Sequence, residues 1–540
     1  MIRLKTASAL TALAIASIAG NASAAGFVTS AAPMITGQGN YVVTPLYTIG
    51  DTLPNGYQSV GIPDGIGAYK LDKRTVRVMV NHELSSGGKS YTLASGKSLT
   101  GARVSYFDIN IASKAIVNGG MAYDNIYDRA GNLVTSTSSF ASFSRFCSSS
   151  AFEANSFGAG KGLTDRIYFT GEENGNGTMY ALDTATKTMH AVPAFGYASF
   201  ENAAQVDTGT TSKVAFLLAD DTTGAPQTLY VGTKNPSSSD FLDRNGLKNG
   251  KLYVWKSASG DVNSNTFNGA NGDSRNGSWV QLTVKDASKA GTPGYDAAGY
   301  ALASTLQAQG RALGGFAYSR LEDVATNPAD GSLVAFVTTG GTSTASGAAD
   351  TWGRIHTLKI GFDANGDPIS GTTTIVYNGN LDPNRELRSP DNIDWASDTS
   401  IIAMEDRATT WTGQPNTHDG SVLVVGLDGS VSRAAEIVRA ASPVGAIDTL
   451  PGLGDWETSG ILDVSALFGY AKRGSLFLGN VQAHGLNGTG FPAATLAEGG
   501  QMFFLSNAAV PEPASWALMI AGFGLVGTTL RRRQLKSVTA

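Results

Sequence analysis

Thr75-Val-Arg-Val-Met-Val80, followed directly by Asn81-His82-Glu83, sets the pattern for the chain: a short β-branched and apolar run, then a polar acidic cluster where the run stops. Runs of this length bordered by turn residues read as strands. The unit recurs: residues 166–170 precede Glu172-Glu173, 214–218 precede Asp220-Asp221, and 400–404 precede Glu405-Asp406-Arg407. Arg320, Glu322 and Asp323 are read as preceding a strand instead. Further strand-length runs are 250–255, 332–338, 355–360, 421–425 and 475–478. Long amphipathic helices are scarce, with 295–309 the best candidate. Many short strands over so long a chain make it all-β, and favour a β-propeller with loop insertions over a sandwich. No repeat of fixed period is visible, so blade number cannot be read from the pattern. The Ser/Asn/Gly-rich stretch 257–277 reads as a surface insertion.

Strand ends in a propeller gather around one mouth of the central channel. Carboxylates collected there repel one another unless cations or protons compensate. Oxygen ligands of this kind suit calcium, and a thiolate among them would recruit a transition metal. Any one acidic pair alone is more often a turn residue capping a backbone N–H. Five such clusters shift that balance.

Cys147 is the only cysteine among 540 residues. In an exported chain it has no intramolecular partner. It is then a small buried hydrophobe, an intermolecular linker, a metal ligand or a nucleophile, and the first is the commonest fate of a free cysteine.

Both ends point to export. Residues 1–24 combine Arg3 and Lys5, an alanine-rich apolar stretch and the small-residue exit Ala22-Ser23-Ala24, the form of a secretory signal peptide. No twin-arginine pair is present, so the chain is expected to cross unfolded by the general route. At the other end, Val510-Pro511-Glu512-Pro513 leads into an apolar run, then Arg531-Arg532-Arg533, a cluster that would hold a short transmembrane helix at the cytoplasmic face. This segment resembles the PEP-CTERM sorting signal. The resemblance implies an exosortase-type processing enzyme, transient inner-membrane anchoring, and delivery to the cell surface or extracellular polysaccharide. The expected organisation is a signal peptide at 1–24, one propeller domain at 25–509, the sorting signal at 510–533 and a cytoplasmic tail at 534–540.

Charged residues make up 15% of the chain and the formal net charge is −5, which argues against a basic nucleic-acid surface. There is no Gly-x-Ser-x-Gly elbow and no phosphate-cradling P-loop. Asp363-Ala-Asn365-Gly-Asp367 opens like a calcium loop but lacks the closing glutamate, so it reads as a surface turn. His190, His356 and His418 show no ligand spacing and read as structural or exposed. Glu457 is held as a possible outer ligand.

The ordered series Gly61-Ile-Pro-Asp64-Gly65, Asn81-His82-Glu83, Cys147, Gly171-Glu172-Glu173, Glu201, Asp220-Asp221, Arg320-Leu321-Glu322-Asp323, Pro390-Asp391-Asn392 and Val481-Gln482-Ala483-His484-Gly485 resembles the PhoX-type alkaline phosphatases. That resemblance implies a six-bladed propeller holding iron and calcium, a cysteine thiolate bridging the irons, and hydrolysis of phosphomonoesters. By position it makes Cys147 the bridge, Glu83, Glu201 and Glu322 iron ligands, and Glu173, Asp221 and Asp391 calcium ligands. It makes Arg320 the group that grips phosphate, a task suited to a planar fork. Cys147, Arg320 and Glu322 are thus the expected catalytic set. Three positions depart from the family pattern: Leu321 replaces a proline, Phe200 precedes Glu201 in place of histidine, and Ala483 interrupts the Gln-His pair. Family members are typically exported folded, whereas this chain would acquire metal outside, so a calcium-only site is a variant of the same expectation. A reading of another class is a non-catalytic, calcium-stabilised propeller of the surface matrix.

Overall fold

The computed structural model describes residues 26–137, 140–341, 343–407, 418–442, 445–488 and 492–508. The signal-peptide segment 1–24, the sorting segment 510–533 with its expected membrane helix, and the tail 534–540 lie outside the described residues. No helix among the described residues is long and apolar enough to cross a membrane.

The chain folds into six successive blades, each built on four antiparallel strands, with the short strands Asn125–Tyr127 and Ile35–Gly37 added at the outer edges of the second and fifth. Their innermost strands are Pro63–Lys70, Phe146–Phe152, Phe200–Val206, Leu321–Thr326, Pro390–Ser397 and Glu457–Asp463. These lie side by side in chain order, and the sixth returns to the first, so the ring is closed. Closure uses both ends of the domain: the sixth blade takes its outer strand, Tyr41–Thr48, from the N-terminal side, paired with Gly499–Asn507. A closed ring removes free sheet edges around the channel. The third and fourth blades are further linked by Ser274–Leu282, which pairs with Gly250–Ser257 on one side and Pro368–Asn378 on the other.

Apolar side chains fill the spaces between blades. Phe169, Phe195 and Phe216 meet between the second and third blades. Trp395 of the fifth blade is fully buried, and its indole N–H donates to Ala325 O of the fourth.

All nine runs read as strands are strands, generally longer than expected: 75–80 becomes Thr75–His82, and 475–478 becomes Leu476–Ala483. The innermost strands escaped that reading. Their polar residues are buried on both sides, which abolishes the alternation that marks a half-exposed strand. Leu321–Thr326 is one of them, so Glu322 and Asp323 lie inside a strand and do not precede one. The helix expected at 295–309 is displaced to Ala303–Ala312. Asp296 Oδ1 accepts the N–H groups of Ala298 and Tyr300, folding that stretch into a turn between Gly294 and Gly299, both at positive φ. The 257–277 insertion is anchored: Phe267 is buried, and its carbonyl accepts from the buried guanidinium of Arg354.

Every innermost strand carries a β-bulge. In the first five the two residues that face a single partner residue are Asp64-Gly65, Cys147-Ser148, Glu201-Asn202, Glu322-Asp323 and Asp391-Asn392; in the sixth the shift falls between Ser459 and Leu462. A bulge sends two neighbouring side chains off the regular alternation, here towards the axis. The blades approach so closely there that a Cβ on Gly65 would lie 2.4 Å from Ser149 N and 2.7 Å from Cys147 O. Gly65→Ala is therefore expected to destabilise the fold by about 1–3 kcal/mol, the usual cost of overpacking, read as a lowered midpoint in denaturant unfolding.

Candidate metal centre

The bulges of the first five blades, and the start of the innermost strand in the sixth, place one ligand-type side chain from each blade at the mouth of the channel. Pro63-Asp64, Phe146-Cys147, Phe200-Glu201, Leu321-Glu322, Pro390-Asp391 and Trp456-Glu457 each put a buried apolar residue outward and a buried acid or thiol inward. The second strand of each blade ends at the same mouth and adds the next residue along: Glu83, Glu173, Asp221, Thr339, Asp406 and His484. Thr339 stands where the other blades carry a titratable group, and its hydroxyl donates to Glu322 Oε1 at 2.8 Å.

Below this ring, the partner residues of the bulges are tied across the axis. Asn202 donates to Asp323, Asp323 accepts Ile393 N, Asn392 donates to Ser148 Oγ, and Ser459 donates to both Asn392 and Asp64. Hydrogen bonds thus form a floor that fixes the ligand-bearing backbones.

The cavity above the floor is about 200 Å³, with Cys147, Glu201, Glu322, Asp391 and Glu457 in its wall. Four overlapping sets bring their ligand atoms within 4.8 Å of one another: Asp64/Glu83/Cys147, Cys147/Glu173/Glu201, Glu201/Glu322/Asp391 and Asp391/Asp406/Glu457. Cys147 belongs to two adjacent sets, and its thiol lies 3.0 Å from Asp64 Oδ2.

Without a cation this arrangement is electrostatically costly. Burial, and then Glu83, push Asp64 up to about 7. Burial raises Glu457 to about 8 against the pull of His484. Glu173, Glu201, Glu322 and Asp391 are driven well above the carboxylate range, first by burial and then by a neighbouring carboxylate, Asp221 for Glu173 and Glu322 and Glu322 for Glu201 and Asp391. Burial and Asp64 likewise push the Cys147 thiol upward. Burial opposes protonation of His484, but Glu457 and Glu498 outweigh it and raise the imidazole to about 10. Among the described residues, the buried oxygens Glu201 Oε1 and Asp391 Oδ1 have no hydrogen-bond partner. Oxygens aimed into a shared cavity and left without donors fit a cation better than any protein partner present. The residues at the mouth therefore suit bound metal.

Two arginines reach this mouth from equivalent stations, two residues before the ring position. Arg145 (φ 48°) and Arg320 (φ 62°) both adopt left-handed backbone, as do Ile62 and Ser389 at the same station of the first and fifth blades. Arg320 holds Asp221 bidentately (2.8 and 3.1 Å) and contacts Glu322 (2.9 Å) and Asp406 (3.5 Å). Arg145 lies between Glu83 (2.8 Å) and Glu173 (2.5 Å).

The eight expected site residues, Glu83, Cys147, Glu173, Glu201, Asp221, Arg320, Glu322 and Asp391, thus converge on one mouth. Asp64, Arg145 and Asp406 stand with them unassigned, and Glu457 lies within the ring itself, not outside it. The signal that would have found the ring is the apolar residue followed by an acid or thiol at each innermost strand. His190 and His356 are stacked on Phe241 and Phe336, away from this mouth. His418 packs beside Glu405. Asp363 Oδ1 accepts from Asn365 N and Asp367 N, closing a hairpin turn.

The family model described as alkaline phosphatase PhoX matches residues 131–443, more than half of the chain. The chain belongs to the PhoX alkaline phosphatase family. Among solved structures, Pseudomonas fluorescens PhoX in complex with vanadate, a transition-state analogue, is 15% identical. It aligns over 90% of this chain and 98% of its own with a TM-score of 0.60, a likeness of fold. A GH43 β-1,3-galactosidase with galactodeoxynojirimycin (9% identity, 85% and 94% covered, TM-score 0.32) and the Dos1 propeller (8%, 86% and 95%, 0.26) are too distant to bear on the site. No curated protein matches the sequence. The PEP-CTERM protein-sorting motif matches residues 509–533. This PhoX-family chain is accordingly an exported, envelope-sorted phosphatase, and PhoX-type phosphatases are metal-dependent.

The raised carboxyls give the metal-free protein a definite pH dependence. A carboxyl that titrates at 7 or 8 folded, against an ordinary 3.8 or 4.5, binds more protons in the native state, so its stabilisation is present at low pH and lost as pH rises through the folded value. His484, held up to about 10, acts in the same direction. Chelated protein is expected to melt at progressively lower temperature from pH 5 to pH 8, and added metal to remove most of that slope, read by calorimetry; a rising melting temperature would contradict the charge balance described.

Proposed function

We propose that this protein is a metal-dependent phosphomonoesterase that releases phosphate from extracellular organic esters at the mouth of its propeller. The observation that carries the reading is the closed ring of buried acids and one thiol with orphaned oxygens, in a member of a phosphatase family. Cys147, shared by two adjacent ligand sets, suits a bridging thiolate. Glu83, Glu201 and Glu322 would complete an iron shell, and Glu173, Asp221 and Asp391 would hold calcium. Metal bound there would neutralise phosphoryl oxygens, activate an oxygen nucleophile and stabilise the leaving alkoxide. The chain's own contribution is positioning: the bulges aim the ligands, the hydrogen-bonded floor holds them still, and Arg320 supplies a fork for phosphate oxygens.

The same reading assigns 1–24 to a removed signal peptide, 25–509 to the propeller, 510–533 to a transient inner-membrane anchor processed by an exosortase-type enzyme, and 534–540 to a cytoplasmic tail. Metal is acquired after export, and the processed protein is retained at the outer surface or in extracellular polysaccharide.

Purified protein reconstituted with iron and calcium is expected to hydrolyse p-nitrophenyl phosphate and to lose that activity on chelation. Cys147→Ser and Glu322→Gln are each expected to lower kcat by on the order of a hundredfold or more, beyond what loss of an outer-shell contact costs, while leaving the circular dichroism spectrum intact. Full activity in the cysteine variant would remove the bridging-thiolate assignment, and a folded, metal-loaded protein without hydrolysis would remove the phosphomonoesterase reading.

A further inference from the structure

Three arginines line this mouth; Arg407 turns to Asp455, while Arg145 and Arg320 occupy equivalent stations but are in opposite states. In Arg320 every guanidinium nitrogen is engaged: Nε and Nη2 on Asp221, Nη2 also on Glu322, and Nη1 facing Asp406. In Arg145, Nε and Nη2 meet Glu83 Oε1, and Nη2 also reaches Glu173 Oε2. Its Nη1 makes no hydrogen bond or ion pair with any described residue. The Arg145 side chain is 45% exposed, against 29% for Arg320. Both line the same cavity.

We infer that Arg145 is a phosphate-contacting residue of this site, its free Nη1 edge donating to a phosphoryl oxygen from the blade that carries Cys147. The inference rests on the phosphomonoesterase reading above. Two features support it independently of Arg320. The first is the single-oxygen contact to each carboxylate, which fixes the direction of the fork without exhausting its donors. The second is position, since Arg145 stands two residues from Cys147, so a phosphoryl group gripped by it lies against the thiol end of the ring. Arg320 would have to give up part of its contact with Asp221, Glu322 or Asp406 to do the same work; Arg145 gives up nothing.

The test uses full-length protein with its metals, p-nitrophenyl phosphate as substrate and inorganic phosphate as competing ligand. Arg145→Gln and Arg145→Lys are compared with the unaltered protein for KM, kcat, inhibition by inorganic phosphate and bound metal. The expected result is a KM for substrate and an inhibition constant for phosphate both raised about tenfold or more in Arg145→Gln, the scale of a charge-assisted hydrogen bond. Partial recovery in Arg145→Lys and unchanged metal content are expected alongside. Unaltered phosphate inhibition in an active Arg145→Gln variant would overturn the inference. So would loss of metal in step with loss of activity in both variants, which would assign Arg145 to holding Glu83 and Glu173. An unaltered protein that neither hydrolyses the ester nor binds phosphate would instead overturn the phosphomonoesterase reading on which the inference stands.

Discussion

One bulge per innermost strand is the constraint on which the rest of this molecule depends. A regular strand at the axis would send alternate side chains into the blade on either side. In the second to fifth blades the bulge instead delivers two consecutive side chains to the channel, one to the upper ring and one to the floor, while in the first Asp64 is followed by Gly65. Apolar partners such as Phe146, Phe200 and Leu321 face the packed blades and set the register, so the neighbouring thiol or acid has no freedom to turn away. Closure then multiplies the effect, because six strands bound to one another cannot relax individually to separate their charges.

That rigidity explains why so many acids tolerate burial together. Their mutual repulsion is balanced in part by Arg145, Arg320 and His484, and in part by protonation. Protonation and cation binding are alternatives at the same oxygens, so a site held by rigid backbone stays poised for metal. The floor matters for the same reason. Asn202, Asp323, Asn392, Ser148 and Ser459 bond to one another, whereas Glu201 and Asp391 in the ring above each keep a buried oxygen without a donor.

The departures from the family's usual motif become intelligible as local substitutions within this frame. Leu321 takes the outward apolar station that Pro63 and Pro390 occupy in other blades, and Phe200 fills the same station in the third. Neither change moves the inward residue, since it is the bulge that aims Glu322 and Glu201. His484 still reaches the mouth one residue after its strand ends, meeting Glu457 at 3.4 Å and Glu498 at 2.9 Å.

By itself the sequence determined the all-β class, the second strand of every blade with three strands further out, the sorting motif, and the acids that end most second strands. Those features are local: half-exposed strands alternate, turn residues punctuate, and end signals are read by composition. It also carried the family resemblance that brought Cys147, Glu201, Glu322 and Asp391 together in expectation. The innermost strands, the bulges and the places of Asp64, Arg145 and Asp406 were decided only in three dimensions, where the six blades implied by the resemblance also appear. Burial on both faces erases the period of two, a register shift leaves no mark in composition, and which donors an arginine keeps free depends on carboxylates brought in from other strands. Arg145 and Arg320 each stand two residues before a ring residue in sequence; only the closed ring decides which carboxylates each one meets.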